Sequence, residues 1–177
     1  NSDLVNTGAL IEGAAENLLN YSEDFSNAAW IKYTTGAASV CTVTPNIGIS
    51  PSGEQTADRV VFPSIGATSS DRSLLRQLVS NSLITHAFSL YLKSNTAFSY
   101  QIILNFSGAA AKVVTVTPEW QRFNYSAIPS APTNANYGIE VKGDVNSTGA
   151  DILVWGAQLE VGSTATSYIK TPQVRRA

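Results

Sequence analysis

The chain is 177 residues long, enough for one domain with a substantial core and no clear room for a second. Only 14% of its residues are charged and the formal net charge is −2, so it lacks the clustered Lys/Arg excess that nucleic-acid binding requires. Ser, Thr, Asn and Ala fill the gap, which suits an extracellular or virion β-protein, and no segment approaches the roughly 18 apolar residues of a membrane span.

The N-terminus lacks the basic-then-apolar layout of a signal peptide, and the absence of any methionine leads us to expect a processed product or a piece of a longer polypeptide. Residues 1–15 read as a lead-in segment, and Gly8–Leu19 is the only stretch that could support a few helical turns. Beyond it, short β-rich runs alternate with Gly, Pro, Asn and Ser clusters. Strands are expected near Ser39–Thr44, Ala57–Phe62, Ser73–Val79, His86–Lys93, Tyr100–Phe106, Lys112–Thr117, Gln121–Ala127, Tyr137–Lys142 and Asp151–Glu160. So many short strands with almost no helix describe a two-sheet sandwich or a closed barrel over residues 16–171, with 172–177 as a tail or linker.

Alternation supports two facing sheets. In HAFSLYLK, Phe88, Leu90 and Leu92 point one way and Ser89, Tyr91 and Lys93 the other. Each strand thus has an apolar face and a mixed polar-aromatic one where a groove could lie. Cys41, the single cysteine, reads as a small buried hydrophobe. The Asn-x-Ser/Thr triplets at Asn20, Asn105, Asn124 and Asn146 are what chance produces in such a composition.

Catalytic signals are scarce. A lone His86 and a lone Cys41 form no metal pair or nucleophile–base pair, and no G-x-S-x-G elbow or phosphate loop occurs. A carboxylate pair of the glycosidase type is the residual enzymatic reading. What remains is aromatic rings beside short polar side chains. A sugar presents an apolar C–H face and polar edges, and such a surface matches both. Tyr91, Lys93, Tyr100, Gln101, Asn105, Tyr137, Arg72 and Arg76 are of the right types on strands flanking the mixed face. Most tyrosines of a sandwich only cover the edge of the core, so the reading rests on the set.

Both chain ends carry a family likeness. GALIEGAAENLLNYSEDFSNAAWIKY (Gly8–Tyr33), SPSGEQTADRVV (Ser50–Val61), TPEWQRFNYSA (Thr117–Ala127) and above all WGAQLEVGSTATSYIKT (Trp155–Thr171) resemble the carbohydrate-binding-module-like domains of bacteriophage tail and virion proteins. The likeness spans nearly the whole chain, and its terminal motif is the most specific part.

The resemblance implies an all-β jelly-roll sandwich of two antiparallel sheets, without catalytic activity. Such a domain sits on a phage fibre, tailspike or other virion protein and holds a bacterial surface polysaccharide or lipopolysaccharide. A homotrimer would be natural in a fibre. The alternatives are a virion decoration domain docking to capsid, neck or fibre proteins without sugar binding, and a secreted module appended to a glycosidase. No cofactor is required, although related modules often carry a structural calcium. Glu23, Asp24 and Glu160 would be its ligands, with Glu16 and Asp151 behind them. The terminal motif itself reads as a clasp: Trp155 and Leu159 pack into the sandwich, Gln158 and Glu160 bind the NLLNYSEDF segment, and Tyr168 with Ile169 covers the seam.

Overall fold

The computed structural model describes residues 14–171. Ten strands form in order: β1 (Ile31–Thr35), β2 (Thr42–Gly48), β3 (Ala57–Phe62), β4 (Arg72–Val79), β5 (His86–Ser94), β6 (Tyr100–Phe106), β7 (Lys112–Val116), β8 (Gln121–Ala127), β9 (Ala135–Lys142) and β10 (Ala150–Val161). They make two five-stranded antiparallel sheets, ordered β1-β4-β9-β6-β7 and β2-β3-β10-β5-β8. No helix forms among the described residues; the Gly8–Leu19 reading lies partly outside them, and residues 14–19 are not helical.

The period-2 pattern sends one face of each strand inward. Phe88, Leu90 and Leu92 of β5 meet Ile102, Leu104 and Phe106 of β6 and Tyr137, Ile139 and Val141 of β9 in one core. Each such fully buried apolar side chain contributes about 1.5–3 kcal/mol of burial free energy. Cys41 is buried just ahead of β2, and burial pushes its thiol up to about 11, which leaves it inert.

Two departures from the sequence reading have simple causes. The edge strand β1 was not expected, because IKYTT buries no residue and so shows no apolar alternation. The strand expected at Ser39–Thr44 instead runs Thr42–Gly48 and takes in Pro45. A proline is tolerated there because β2 is an edge strand, with a free side for a residue that has no N–H.

β10 carries the closing motif and is irregular at one point. Trp155 pairs with Tyr91 and Gln158 with Ser89, so β10 has one more residue than β5 between these pairs. Gly156 takes the left-handed backbone, φ 63°, that such a bulge needs. The extra residue switches the inward parity. Ile152 and Val154 face the core before it, Ala157 and Leu159 after it, and Trp155, Gln158 and Glu160 all face outward. Trp155 therefore packs outside the sandwich and not in it, as the clasp reading had it.

The N-terminal segment lies against β10. Leu18 N–H donates to Leu159 O at 2.8 Å and Ala157 N–H to Ser22 O at 2.9 Å. Asn17, 1% exposed, fastens both ends of the chain to this strand. Its Nδ2 donates to Ala157 O and Ile169 O, each at 2.9 Å, and its Oδ1 accepts from Leu19 and Leu159 N–H at 3.1 and 3.0 Å. Gln158 and Glu160 hold the C-terminal segment: Ile169 N–H donates to Gln158 Oε1 at 2.6 Å, and Thr166 N–H to Glu160 Oε2 at 3.0 Å. The expectation that these two grip NLLNYSEDF is corrected, since the outward parity turns them to the other side of β10.

Replacing Asn17 with alanine strands these buried backbone groups together. We expect Asn17→Ala to lose about 3 kcal/mol of unfolding free energy, read from the shift in the urea midpoint, against less than about 0.5 kcal/mol for Ser126→Ala on an exposed edge.

Candidate functional site

The two sheets differ in what lies on their outer faces. On the second sheet, Tyr91, Trp155 and Tyr168 pack ring to ring, with centroids 5.4 Å apart for Tyr91–Trp155 and 4.5 Å for Trp155–Tyr168. Gly156 sits under them; a Cβ there would lie 3.2 Å from the Tyr91 ring and 3.4 Å from that of Tyr168. Trp120 joins this cluster, and its indole N–H donates to Ile49 O at 3.0 Å. Arg122 donates to Thr166 O at 2.7 Å and to Ser89 Oγ at 3.0 Å. The C-terminal segment is thus bound across this face, and the aromatic side chains there are used in closing the fold.

The first sheet presents a different surface. Ile31, Arg76, Gly138 and Asn105 stand opposite one another across β1, β4, β9 and β6. Tyr33, Leu74, Glu140, Ile103 and Val113 make the neighbouring row, and Arg72 pairs with Lys142 beyond it. Leu74 and Ile103 are each 2% exposed although they point away from the core, beneath the long polar side chains of the same face.

At the centre lies Glu140, a buried carboxylate with a full set of donors. Arg72 Nε and Nη2 donate to its two oxygens at 2.5 and 2.9 Å, and Asn105 Nδ2 donates to Oε2 at 2.8 Å. This side-on fork offsets the desolvation of the carboxylate, and the hydrogen bond to Glu140 raises the Arg72 pKa further. Arg76 instead lies over the half-exposed Tyr33 ring, 4.2 Å from its centroid. Gly138, between Arg76 and Asn105, admits no side chain: a Cβ would sit 2.1 Å from Leu75 O. Beside this network is a depression of about 340 Å³ lined by Ser69, Arg72, Asn105, Glu140, Lys142 and residues 109–111.

Of the sequence candidates, Arg72, Arg76, Gln101 and Asn105 share this face. Tyr91 and Lys93 are on β5, in the other sheet. Tyr100 shares the inward parity of Ile102, packs against the core, and its hydroxyl bonds Thr96 Oγ1 at 2.9 Å. Tyr137 is fully buried, its ring 4.9 Å from that of Phe106 and its hydroxyl bonded to Asn81, and burial raises its pKa. It is a core residue and is corrected as a sugar contact; its parity with Ile139 and Val141 was the available signal. Tyr33, Glu140 and Lys142 were missed. The outward Ile31-x-Tyr33 spacing and the polar parity of Glu140 and Lys142 were the legible traces of this face.

The residues expected as calcium ligands have partners within the chain. Glu23 Oε2 already holds the Lys170 ammonium at 2.7 Å, and Glu23 Oε1 accepts from the Tyr168 hydroxyl at 3.0 Å. Asp24 accepts from Ser26 Oγ, Glu160 is taken up by Thr166 and Gln158, and Asp151 is held by the Arg59 fork. Among the described residues, no three His, Cys, Asp or Glu side chains gather as a metal site. Lys170 bridges to Glu23 at this junction at 2.7 Å.

The buried acid at this junction is Asp58, 1% exposed, whose Oδ2 accepts from Phe25 N–H at 2.7 Å and Oδ1 from Asn46 N–H at 2.9 Å. Burial pushes its pKa up to about 6, outweighing the Asn46, Phe25 and Ser26 N–H groups that pull it down.

No protein-family model and no curated protein matches this chain. Among solved structures, TmCBM61 in complex with β-1,4-galactotriose aligns at 14% identity and TM-score 0.52, over 83% of this chain and 99% of that one. The CBM22-1 xylan-binding domain of Paenibacillus barcinonensis Xyn10C aligns at 12% identity and TM-score 0.53, over 88% and 100%. A family 11 carbohydrate-binding module from Clostridium thermocellum, in complex with a β-1,3-1,4-mixed-linked tetrasaccharide, aligns at 13% identity and TM-score 0.50, over 86% and 98%. The enzymatically active domain of bacteriophage CBA120 tailspike protein 4 aligns at TM-score 0.49 and 14% identity; this chain spans 21% of its length, and a similarity of that order carries no weight. The fold is the jelly-roll sandwich of carbohydrate-binding modules.

Two measurements follow from this chemistry. The native pKa of Asp58 lies above the unfolded value of 3.8, so the folded state binds the proton more tightly and gains stability as pH falls through 6 towards 4. Between pH 7 and pH 4, wild-type unfolding free energy should rise by roughly 2 kcal/mol relative to Asp58→Asn, measured by urea titration at each pH. Excess EDTA should leave the thermal midpoint of the wild-type protein unchanged; a drop of several degrees restored by calcium would contradict the lysine-bridged junction.

Proposed function

We propose that this domain binds carbohydrate non-covalently through the outer face of its first sheet, with Tyr33, Arg76, Asn105 and the rim of the Arg72–Glu140 depression as the contact surface. The observation that carries this reading is the asymmetry of the two faces. The second sheet is occupied by its own C-terminal segment, whereas the first offers a half-exposed ring at 42% exposure beside fixed donors. The Arg72–Glu140–Asn105 network is preorganised, so a hydroxyl-rich ligand meets groups already locked in place. The jelly-roll fold and the sugar-bound state of two of its structural neighbours support the assignment.

In its fuller form, the domain is a virion-associated, non-catalytic module that holds a bacterial surface polysaccharide or lipopolysaccharide. Support for the phage context comes from the terminal Trp155–Thr171 motif. Each site would be weak, and display in several copies, as in a trimeric fibre, would raise the overall avidity. A second reading, docking to another virion protein, is favoured by the exposed Ile31, Tyr33, Leu78 and Val113 of the same sheet.

Calorimetric titration with purified capsular polysaccharides and lipopolysaccharides from candidate hosts separates the two. Saturable binding that weakens at least tenfold in Tyr33→Ala and in Asn105→Ala, but not in Lys93→Ala on the other sheet, is expected. Binding lost only in Lys93→Ala would move the site, and no binding across the panel by a folded protein would favour docking.

A further inference from the structure

The charge on this face is not balanced, and the imbalance narrows the ligand. Three cationic side chains, Arg72, Arg76 and Lys142, point outward from β4 and β9. Arg72 is neutralised by the bidentate Glu140, and Lys142 faces Asp144 at 3.2 Å. Arg76 has neither. Among the described residues no carboxylate pairs with it, no acceptor takes a hydrogen bond from its guanidinium, and its Nε is enclosed without a partner. Its one contact of note is the Tyr33 ring beneath it.

Among the described residues, Arg122 gives its Nη1 and Nη2 to Thr166 O and Ser89 Oγ and leaves its Nε unpaired, whereas two arginines hold a carboxylate side-on. Arg72 does so with Glu140, and Arg59 Nε and Nη2 hold Asp151 at 2.9 and 2.7 Å. Arg76 shows the same group over the Tyr33 ring, its Nε enclosed and its terminal Nη atoms left for a ligand to reach. Its neighbour in the row is Gly138, so the space towards Asn105 is bare of side chains. A guanidinium fixed on a ring, next to an open strip with an amide on its far side, matches a pyranose that carries a carboxylate. The ring C–H face would lie along Tyr33, the hydroxyls would reach Asn105, and the acid group would meet the Arg76 Nη atoms. A neutral sugar offers hydroxyl acceptors to those donors but leaves the guanidinium charge unpaired.

We infer that the saccharide taken by this face is acidic, a glycan containing uronic acid or another carboxylated sugar, with Arg76 as the residue that selects for the charge. The inference rests on the assignment of this face to carbohydrate binding.

The test is calorimetry of the full chain with alginate, polygalacturonate and hyaluronan oligosaccharides, each beside its carboxyl-reduced form, and with neutral β-1,4-galactan, xylan and mixed-linked glucan. We expect at least tenfold tighter binding of one or more acidic glycans than of their reduced forms, and weakening of that binding when salt is raised from 50 to 300 mM. Arg76→Gln, checked for folding by circular dichroism, should bring the acidic form down to the affinity of the reduced one. Arg76→Lys, which keeps the charge and loses the paired Nη donors, should recover only part of the preference. Equal binding of acidic and reduced forms, or preference for the neutral glycans, overturns the inference and leaves the carbohydrate reading standing. A preference for acid that survives Arg76→Gln removes Arg76 from the role. Failure to bind either class overturns both together.

Discussion

The fold depends on one backbone irregularity, the bulge that Gly156 places in β10. Without it a strand of this length would keep one parity from Ala150 to Val161, and its core-facing set would end with Trp155 on one side or the other for good. The extra residue lets Ile152 and Val154 face the core, then Ala157 and Leu159, while Trp155, Gln158 and Glu160 all come to the outside. A residue with φ of 63° is needed there, and the Tyr91 and Tyr168 rings close over it within van der Waals reach of a Cβ. Both requirements select glycine.

From that bulge the division between the two faces follows. Three outward side chains in quick succession give the C-terminal segment its ring platform and its two polar anchors. The segment binds across the second sheet, with Tyr168 against Trp155 and Ile169 N–H on Gln158. The aromatic surface that a sugar module would otherwise display on this side is consumed in closure. The first sheet has no such strand. Its outer face is organised by side-chain chemistry alone, with a buried Glu140 that would be costly to desolvate if Arg72 and Asn105 did not meet it.

Most of the strand positions were legible because burial imposes period-2 alternation on central strands, as in Phe88, Leu90 and Leu92. β1 was not, since an exposed edge strand such as IKYTT carries no such constraint. The site was half legible for a related reason. Arg72, Arg76, Gln101 and Asn105 could be placed on polar faces by local parity, but parity within one strand does not say which sheet that strand joins. Tyr91 and Arg76 both lie on outward faces, yet β5 and β4 sit on opposite sides of the core. Tyr137 shows the complementary failure. A tyrosine is a natural sugar platform by type, and its parity with Ile139 and Val141 put it inside instead, with Asn81 meeting its hydroxyl.

The same logic explains why the recognisable motif and the proposed binding face do not coincide. WGAQLE and TSYIKT are specified residue by residue because each position meets a fixed internal partner. Gly156 meets two rings, Gln158 meets Ile169, Glu160 meets Thr166, and Lys170 meets Glu23. Such positions tolerate little change, whatever the domain binds. On the outer face of the first sheet, Gly138, Glu140, Arg72 and Asn105 are bound by comparable internal demands. Tyr33 and Arg76 are tied to little besides each other, so their identities are free to answer to something outside the chain. A sequence likeness carried by the closing motif therefore speaks for how the sandwich is shut, and the ligand has to be read from the residues that the fold itself does not need.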